Sequence, residues 1–246
     1  MKKRIAIIGC EPSGQSHFND GGKKLAGRGI IARRVTAFNG FEPKVHWPIT
    51  DPKDIPTHKD YDGVIISGSA TNLTDEGQPD DSIKTILDFI LETHGKIPML
   101  GICFGHQAIA SAFGSEVVRF RPRPDEGAEL GFVQIKLTGH GRRDKLFEGM
   151  GNKPKALFAH LCYVSTIPED GIILASGLTS PIQSFKVGEA TYGVQFHPEY
   201  TGDIVRQVMI YYGELLSDVL PPDKSIVLHI SDREDHRVLE NFLNLL

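Results

Sequence analysis

The 246-residue sequence has little cysteine. Its three cysteines, Cys10, Cys103 and Cys162, lie far apart, and no CxxC motif is present. This odd and sparse set argues against a disulfide framework and against a structural zinc site, so we expect reduced thiols. The histidines show no metal-ligand spacing either, and we therefore expect no metal and no cofactor.

Long hydrophobic runs are also missing. No apolar run approaches the roughly 18 residues needed to cross a bilayer, and the apolar stretch at residues 5–8 is too short for a signal peptide. We therefore expect a cytoplasmic protein. The formal net charge of −4 provides no basic field, which argues against a nucleic-acid or membrane partner and favours a small-molecule substrate.

The chain contains no internal repeat, low-complexity tract or long linker. A chain of this length with 40% hydrophobic residues can bury one sizeable core. We expect a single domain over residues 1–246. The pair Pro221-Pro222 marks the start of a C-terminal helical extension over residues 221–246.

The apolar pattern predicts an α/β fold. Short apolar runs at 5–9, 62–66 and 97–102 end in small residues, as strands buried in a parallel sheet do. Residues 80–94 have helical spacing and predict a crossover helix. Six later segments have β character and predict a mixed or antiparallel extension of the sheet: 116–120, 130–138, 155–159, 172–175, 181–187 and 190–196. Two final helices are expected at 203–216 and 232–246.

The most informative stretch is residues 98–113, PMLGICFGHQAIASAF. A buried strand meets a G-x-C-x-G motif, centred on Cys103, and passes directly into a helix. This pattern predicts a nucleophile elbow, a sharp turn that needs flanking glycines at Gly101 and Gly105. The helix N-terminus favours the thiolate form of Cys103, and the Phe104 amide can donate to an oxyanion. A small buried cysteine at a tight turn is the commoner alternative, but it does not explain both glycines.

A second set of polar residues occurs in GVQFHPEY, residues 193–200. Alternate side chains of an extended chain share one face, so His197 and Glu199 can lie together. His197 then serves as a base toward Cys103, and Glu199 orients its ring. An isolated H-x-E motif would more often be a surface feature, but its occurrence together with the predicted nucleophile elbow favours a catalytic triad.

A third motif is the Gly/Ser loop of DGVIISGSAT, residues 62–71. A loop of this kind at the carboxyl end of a parallel strand is a position where ligands bind.

These three pieces resemble the class I glutamine amidotransferases, the triad-type family that includes the glutaminase domain of GMP synthase. GICFGHQ is similar to the family's nucleophile motif, SGS to its oxyanion loop and FHPE to its histidine-glutamate motif. The resemblance implies an open, mostly parallel sheet of flavodoxin-like architecture. It also implies a nucleophile (Cys103), a base (His197), an orienting acid (Glu199), oxyanion-hole amides (Gly68 and Phe104) and a glutamine contact (Gln107).

One segment departs from the family pattern. Where relatives often carry Ser-His-Gly-Asp, this chain has Ala159-His160-Leu161-Cys162, followed by Tyr163. The resemblance implies that His160, Leu161, Cys162 and Tyr163 contact the substrate headgroup. Leu-Cys in place of Gly-Asp puts a strict preference for free glutamine in doubt while leaving the hydrolytic machinery intact.

The sequence therefore predicts hydrolysis of the γ-amide of glutamine, or of a γ-glutamyl compound, through a Cys103 thioester. Two alternatives stay open: a γ-glutamyl peptidase on the same scaffold, and a non-catalytic redox or binding module in which Cys103 is oxidised. The chain has no P-loop and no G-x-G-x-x-G motif. We therefore expect that any synthetic use of the ammonia requires a synthetase partner.

Overall fold

The computed structural model describes residues 1–12, 18–69, 73, 81–120, 129–215 and 236–246. The strands in these ranges are β1 Lys3–Ile8, β2 Phe18–Asp20, β3 Lys23–Leu25, β4 Phe41–His46, β5 Gly63–Ile66, β6 Met99–Ile102, β7 Val117–Arg119, β8 Glu129–Gln134, β9 Lys136–Leu137, β10 Lys155–His160, β11 Cys162–Val164, β12 Ile172–Ser176, β13 Ser184–Val187 and β14 Thr191–Val194. The α-helices are α1 Gly27–Ala37, α2 Asp81–Thr93, α3 Phe104–Ala112, α4 Gly202–Leu215 and α5 Arg237–Asn244.

An eight-stranded sheet in the order β4-β1-β5-β6-β14-β13-β12-β9 forms the centre of the fold. The first five strands are parallel, and β13, β12 and β9 continue the sheet in antiparallel pairing. The predicted mostly parallel α/β sheet with an antiparallel extension is therefore confirmed. Strands β5 and β6 are buried along their whole length, because helices or other chain segments cover both faces.

Two hydrophobic clusters cover the two faces of the sheet, and alternate residues of β1 point into each. Ile5 and Ile7 pack with residues of α1 and α5, whereas Ala6 and Ile8 pack with residues of α2 and α3. This alternation follows from the period of two along a strand. The sheet is consequently enclosed between helices, so a functional site is expected at the ends of its strands.

Several elements lie outside the sequence prediction. Helix α1 and the edge strand β4 were not expected from the sequence. Strand β4 is mostly exposed and carries Pro43, so it lacks the apolar run that marks a buried strand. Strand β11 was also missed. Within the part of the chain that the structure describes, strands β8 and β10 pair with each other, as do β7 and β11, and none of the four joins the main sheet as the predicted extension implied.

Helix α5 belongs to the same core as the sheet. Its buried face is formed by Val238, Leu239, Phe242 and Leu243, which lie in the cluster that contains Ile5 and Ile7. The predicted helix began at 232, and residues 232–235 lie outside the described residues, as does the rest of the 221–235 segment. The single domain and its extension over 221–246 stay predictions.

Candidate active site

Four chain segments that carry polar side chains meet at one edge of the sheet. They follow the carboxyl ends of the parallel strands β1, β5, β6 and β14 and contain Glu11, Gly68, Cys103 and His197 respectively. The carboxyl ends of parallel strands lie at the same edge, where ligands bind in open α/β sheets. The predicted loops are therefore neighbours in space.

Cys103 occupies the turn between β6 and α3 with φ 52° and ψ −102°. A non-glycine residue in such a conformation costs about 1–3 kcal/mol, and such strain clusters at functional sites. A Cβ on Gly101 would collide with the backbone of Gly105, and one on Gly105 would collide with the carbonyl oxygen of Ile66. The two glycines are thus required by backbone packing, which is the geometry of a nucleophile elbow.

Cys103, His197 and Glu199 lie next to one another in the site. His197 Nδ1 lies 2.8 Å from Glu199 Oε1, and the His197 ring lies close enough to the Cys103 side chain to interact with it electrostatically. All three side chains are buried. His197 and Glu199 lie in a turn beyond the end of β14, not on an extended strand as the sequence reasoning assumed. The turn nevertheless places the carboxylate on the ring nitrogen.

The charge of His197 is set by these two neighbours. Burial alone lowers the pKa of His197, but interactions with the Glu199 carboxylate and with the Cys103 side chain outweigh burial and raise this pKa to about 10. At neutral pH the ring is therefore an imidazolium beside the sulfur of Cys103. Cys10 differs, because burial and the neighbouring Glu11 raise the pKa of its thiol and keep it protonated.

The predicted oxyanion-hole residues Gly68 and Phe104 both lie beside Cys103. Phe104 is the first residue of α3, so its amide N–H has no acceptor within the helix. A Cβ on Gly68 would lie 3.5 Å from the Cβ of Cys103 and 3.0 Å from Cε1 of His197. A side chain at position 68 would therefore press on the His197 ring. Their role in binding an oxyanion stays a prediction.

Glu11 anchors the Gly68 loop, and the sequence reasoning missed it. The Ser67 hydroxyl donates to Glu11 Oε2 at 3.2 Å and accepts from the Cys10 amide at 3.0 Å. Glu11 also accepts from the Arg28 backbone amide at 2.7 Å. The sequence shows only that an acidic residue follows the apolar run of β1, which places Glu11 at the carboxyl edge of the sheet, whereas its burial is visible only in the structure.

A chain of amides reaches the sulfur of Cys103. Gln195 Nε2 donates to Cys103 Sγ at 3.6 Å, and Gln195 Oε1 accepts from Gln107 Nε2 at 3.1 Å. Gln107 Nε2 also donates to the Cys162 carbonyl at 2.8 Å. Gln107 was predicted to contact substrate, and that contact stays a prediction. Gln195 was missed, although it stands two residues before His197 in GVQFHPEY.

His160 is held in a buried polar network. Its Nδ1 donates to the Cys162 carbonyl at 2.8 Å, and its Nε2 lies 2.9 Å from Glu129 Oε2. Glu129 Oε2 also accepts from Gln183 Nε2 at 2.7 Å. Both ring nitrogens therefore face oxygen atoms of the protein.

Leu161, Cys162 and Tyr163 lie between this network and β7. The Leu161 carbonyl accepts from the Phe120 amide at 2.9 Å, and the rings of Tyr163 and Phe120 pack with their centroids 4.7 Å apart. Cys103 Sγ lies 3.9 Å from the Ala159 carbonyl oxygen, so β10 borders the candidate nucleophile. The predicted headgroup segment is therefore close to Cys103, whereas its substrate contacts stay predictions.

Neither a metal cluster nor a membrane span occurs in the described residues. No group of three or more His, Cys, Asp or Glu residues there could hold a metal ion. No helix in the same part of the chain is long and apolar enough to cross a membrane.

Comparison with known families decides the assignment. The model of the family "Glutamine amidotransferase class-I" matches residues 29–211. The chain belongs to the class I glutamine amidotransferases. The matched range contains the predicted nucleophile, oxyanion-loop and histidine-glutamate motifs, so the resemblance inferred from them is confirmed.

Curated relatives of this amidotransferase include a subunit of the glutamine-hydrolyzing GMP synthase from Pyrococcus abyssi. It is 32% identical over 188 residues, which cover 74% of this chain and 92% of the relative. The glutamine-hydrolyzing GMP synthase from Aquifex aeolicus is 31% identical over 182 residues, 74% of this chain, but the match spans only 32% of that longer protein. Like these relatives, the chain is an enzyme of the amidotransferase class.

Solved structures agree with the amidotransferase fold. A glutamine amidotransferase from Thermotoga maritima has a TM-score of 0.73 at 18% identity, and the alignment covers 100% of this chain and 98% of that one. A glutamine amido transferase from Methylobacillus flagellatus has a TM-score of 0.74 at 18% identity, covering 100% and 96%. At these identities the likeness concerns the fold alone.

Proposed function

We propose that this amidotransferase hydrolyses the γ-amide of glutamine or of a γ-glutamyl compound through a thioester on Cys103. The observation that carries the proposal is the buried Cys103–His197–Glu199 group at a strained elbow. A structural cysteine needs neither a positive φ nor an imidazolium beside its sulfur. Both features suit a sulfur that must be ionised and reach a substrate carbonyl.

The chemistry follows from these positions. The Cys103 thiolate attacks the γ-carbonyl carbon, and the amides of Gly68 and Phe104 lie near the oxygen that becomes negative. The His197 imidazolium gives its proton to the leaving nitrogen, and ammonia or an amine departs from the thioester. Neutral His197 then takes a proton from water, which attacks the thioester and releases the acid. Glu199 holds the ring throughout.

The substrate class can be tested by measuring ammonia release from glutamine beside amine release from γ-glutamyl dipeptides. We expect hydrolysis of at least one donor and the same rate with or without ATP, because amide hydrolysis needs no activation. A diazoketone analogue of glutamine should label Cys103, as detected by peptide mass spectrometry. The control is Cys103→Ala, which should remain unlabelled.

The proposal is overturned if the analogue labels another residue, or if neither donor is hydrolysed and no label forms. The proposal also expects that hydrolysis does not depend on ATP. Tight binding of ATP in calorimetry would contradict this expectation, as would ATP-dependent amidation of an acceptor by this chain alone.

The γ-glutamyl alternative is favoured by one observation at Cys162. Its carbonyl oxygen accepts from both Gln107 and His160, so its lone pairs are already used inside the protein. That oxygen is therefore not free to bind the α-ammonium group, which free glutamine and γ-glutamyl compounds share. A longer γ-glutamyl substrate can gain binding energy from its leaving part instead.

We predict that Leu161-Cys162→Gly-Asp raises the ratio of kcat/KM for glutamine over kcat/KM for a γ-glutamyl peptide by about tenfold. The new carboxylate adds a charge-assisted contact to the headgroup, on which free glutamine depends most. Leu178→Asp is the control because Leu178 is fully exposed. If the double variant does not fold, Cys162→Asp alone, which carries the new carboxylate, should shift the ratio in the same direction, and an unchanged ratio contradicts the prediction.

We further propose that the ammonia is passed to a synthetase partner. Support comes from the curated relatives, since the Pyrococcus abyssi protein is by name one subunit of GMP synthase. The proposal predicts that an added synthetase subunit increases ammonia release in the assay above.

A further inference from the structure

Tyr200 lies directly against the ring of the proposed base. The rings of His197 and Tyr200 are stacked, with centroids 4.3 Å apart and planes that differ by only 3°. On another side, Gly68 approaches Cε1 of His197 so closely that a Cβ there would lie at 3.0 Å. The imidazole is therefore held between a tyrosine face and a glycine loop, in addition to its bond to Glu199.

The Tyr200 ring is itself held in place by packing. It contacts the edge of Phe18, with ring centroids 6.2 Å apart and an interplanar angle of 64°. It also packs against the buried clusters that contain Ile204 and Leu157. A ring fixed in this way presents a constant aromatic face to His197.

An aromatic face carries negative partial charge and attracts a cation within about 6 Å of its centroid. The attraction applies to the imidazolium form of His197 and not to the neutral form. We propose that Tyr200 is a positioning residue that stabilises the protonated state of His197 beside the sulfur of Cys103. This inference rests on the proposed function, in which His197 donates its proton to the leaving nitrogen.

Other charged groups also face His197 and must be kept constant. Glu199 and Cys103 are the direct contacts. From α1, Arg34 donates to the Glu199 carbonyl at 3.1 Å and pairs with Asp20. His236, just before α5, donates to the Pro198 carbonyl at 2.6 Å. A cavity of about 380 Å³ that borders His197 and Tyr200 is also lined by three cations: Lys153, Lys155 and Arg237.

A comparison of Tyr200→Phe with Tyr200→Leu isolates the ring, because all of these charges are unchanged in both variants. The titration of His197 is followed by nitrogen-15 NMR of the full chain, with the signal assigned by its loss in His197→Ala. We expect Tyr200→Leu to lower the titration midpoint by about 0.5–1.5 pH units. Tyr200→Phe should lower it by less than half of that shift.

Wild-type protein should also show an upfield ring-current shift of the His197 Cε1 proton, which is lost in Tyr200→Leu. In activity assays the alkaline limb of kcat/KM should move by the same number of pH units, whereas a merely structural role would lower kcat/KM equally at every pH. Tyr200→Met provides a second aliphatic variant if Tyr200→Leu does not fold.

The proposal is overturned if the titration midpoint of His197 is unchanged in the aliphatic variants. It is also overturned if Tyr200→Phe and Tyr200→Leu shift the midpoint equally, because the effect would then come from the tyrosine hydroxyl. The NMR titration needs no substrate. If it shows the expected shift while neither amide donor is hydrolysed, the proposed function fails and the role of Tyr200 in the His197 charge stands.

Discussion

Cys103→Ala and His197→Ala should each lower kcat/KM by roughly 10⁴-fold or more, because the first removes the nucleophile and the second removes the proton donor and base. Glu199→Ala should leave more residual activity, since Glu199 acts only by orienting the ring and stabilising its charge. The three losses should not add in double variants. Rates with glutamine and with a γ-glutamyl dipeptide, measured at pH 7, provide the test.

His140→Ala is the matched control for the triad variants, because His140 is exposed and lies outside the site. It should retain wild-type rates, and circular dichroism should show that every variant is folded. Wild-type turnover in Cys103→Ala with both donors would contradict the mechanism. Additive losses in Cys103→Ala/His197→Ala would show that the two side chains do not act as a unit.

Gly105→Ala should destabilise the protein by about 3 kcal/mol, because the added methyl would collide with the Ile66 carbonyl oxygen. For a chain of this size, that loss lowers Tm by about 6–12 °C. Urea unfolding and a thermal melt measure both quantities. Activity should fall as well, since relief of the collision moves the elbow and displaces Cys103.

Gly151→Ala provides the matched control for the elbow glycine. Gly151 is exposed, a Cβ there would meet no atom within 4 Å, and its backbone is not in the left-handed region. The same substitution should therefore change stability by no more than about 0.5 kcal/mol. A Gly105→Ala variant as stable as Gly151→Ala would show that the elbow tolerates a side chain and that its packing is looser than the distances imply.

Local sequence patterns determined the fold class and the candidate residues of this protein. Buried parallel strands consist of continuous apolar runs, so β1, β5 and β6 could be located, and the G-x-C-x-G spacing identified the elbow because only glycines fit there. Edge strand β4 could not be located in the same way, since it is stabilised by pairing with β1 and its side chains are largely exposed.

Tertiary structure alone decided which groups surround those candidates. Glu11, Gln195 and Tyr200 come from the ends of β1 and β14, and their roles depend on distances to Ser67, Cys103 and His197 that no sequence pattern specifies. The charge of His197 likewise results from opposing effects of burial and neighbouring negative groups. Short-range sequence determines backbone geometry and burial, whereas the charge and orientation of a buried side chain depend on partners brought together only by the folded chain.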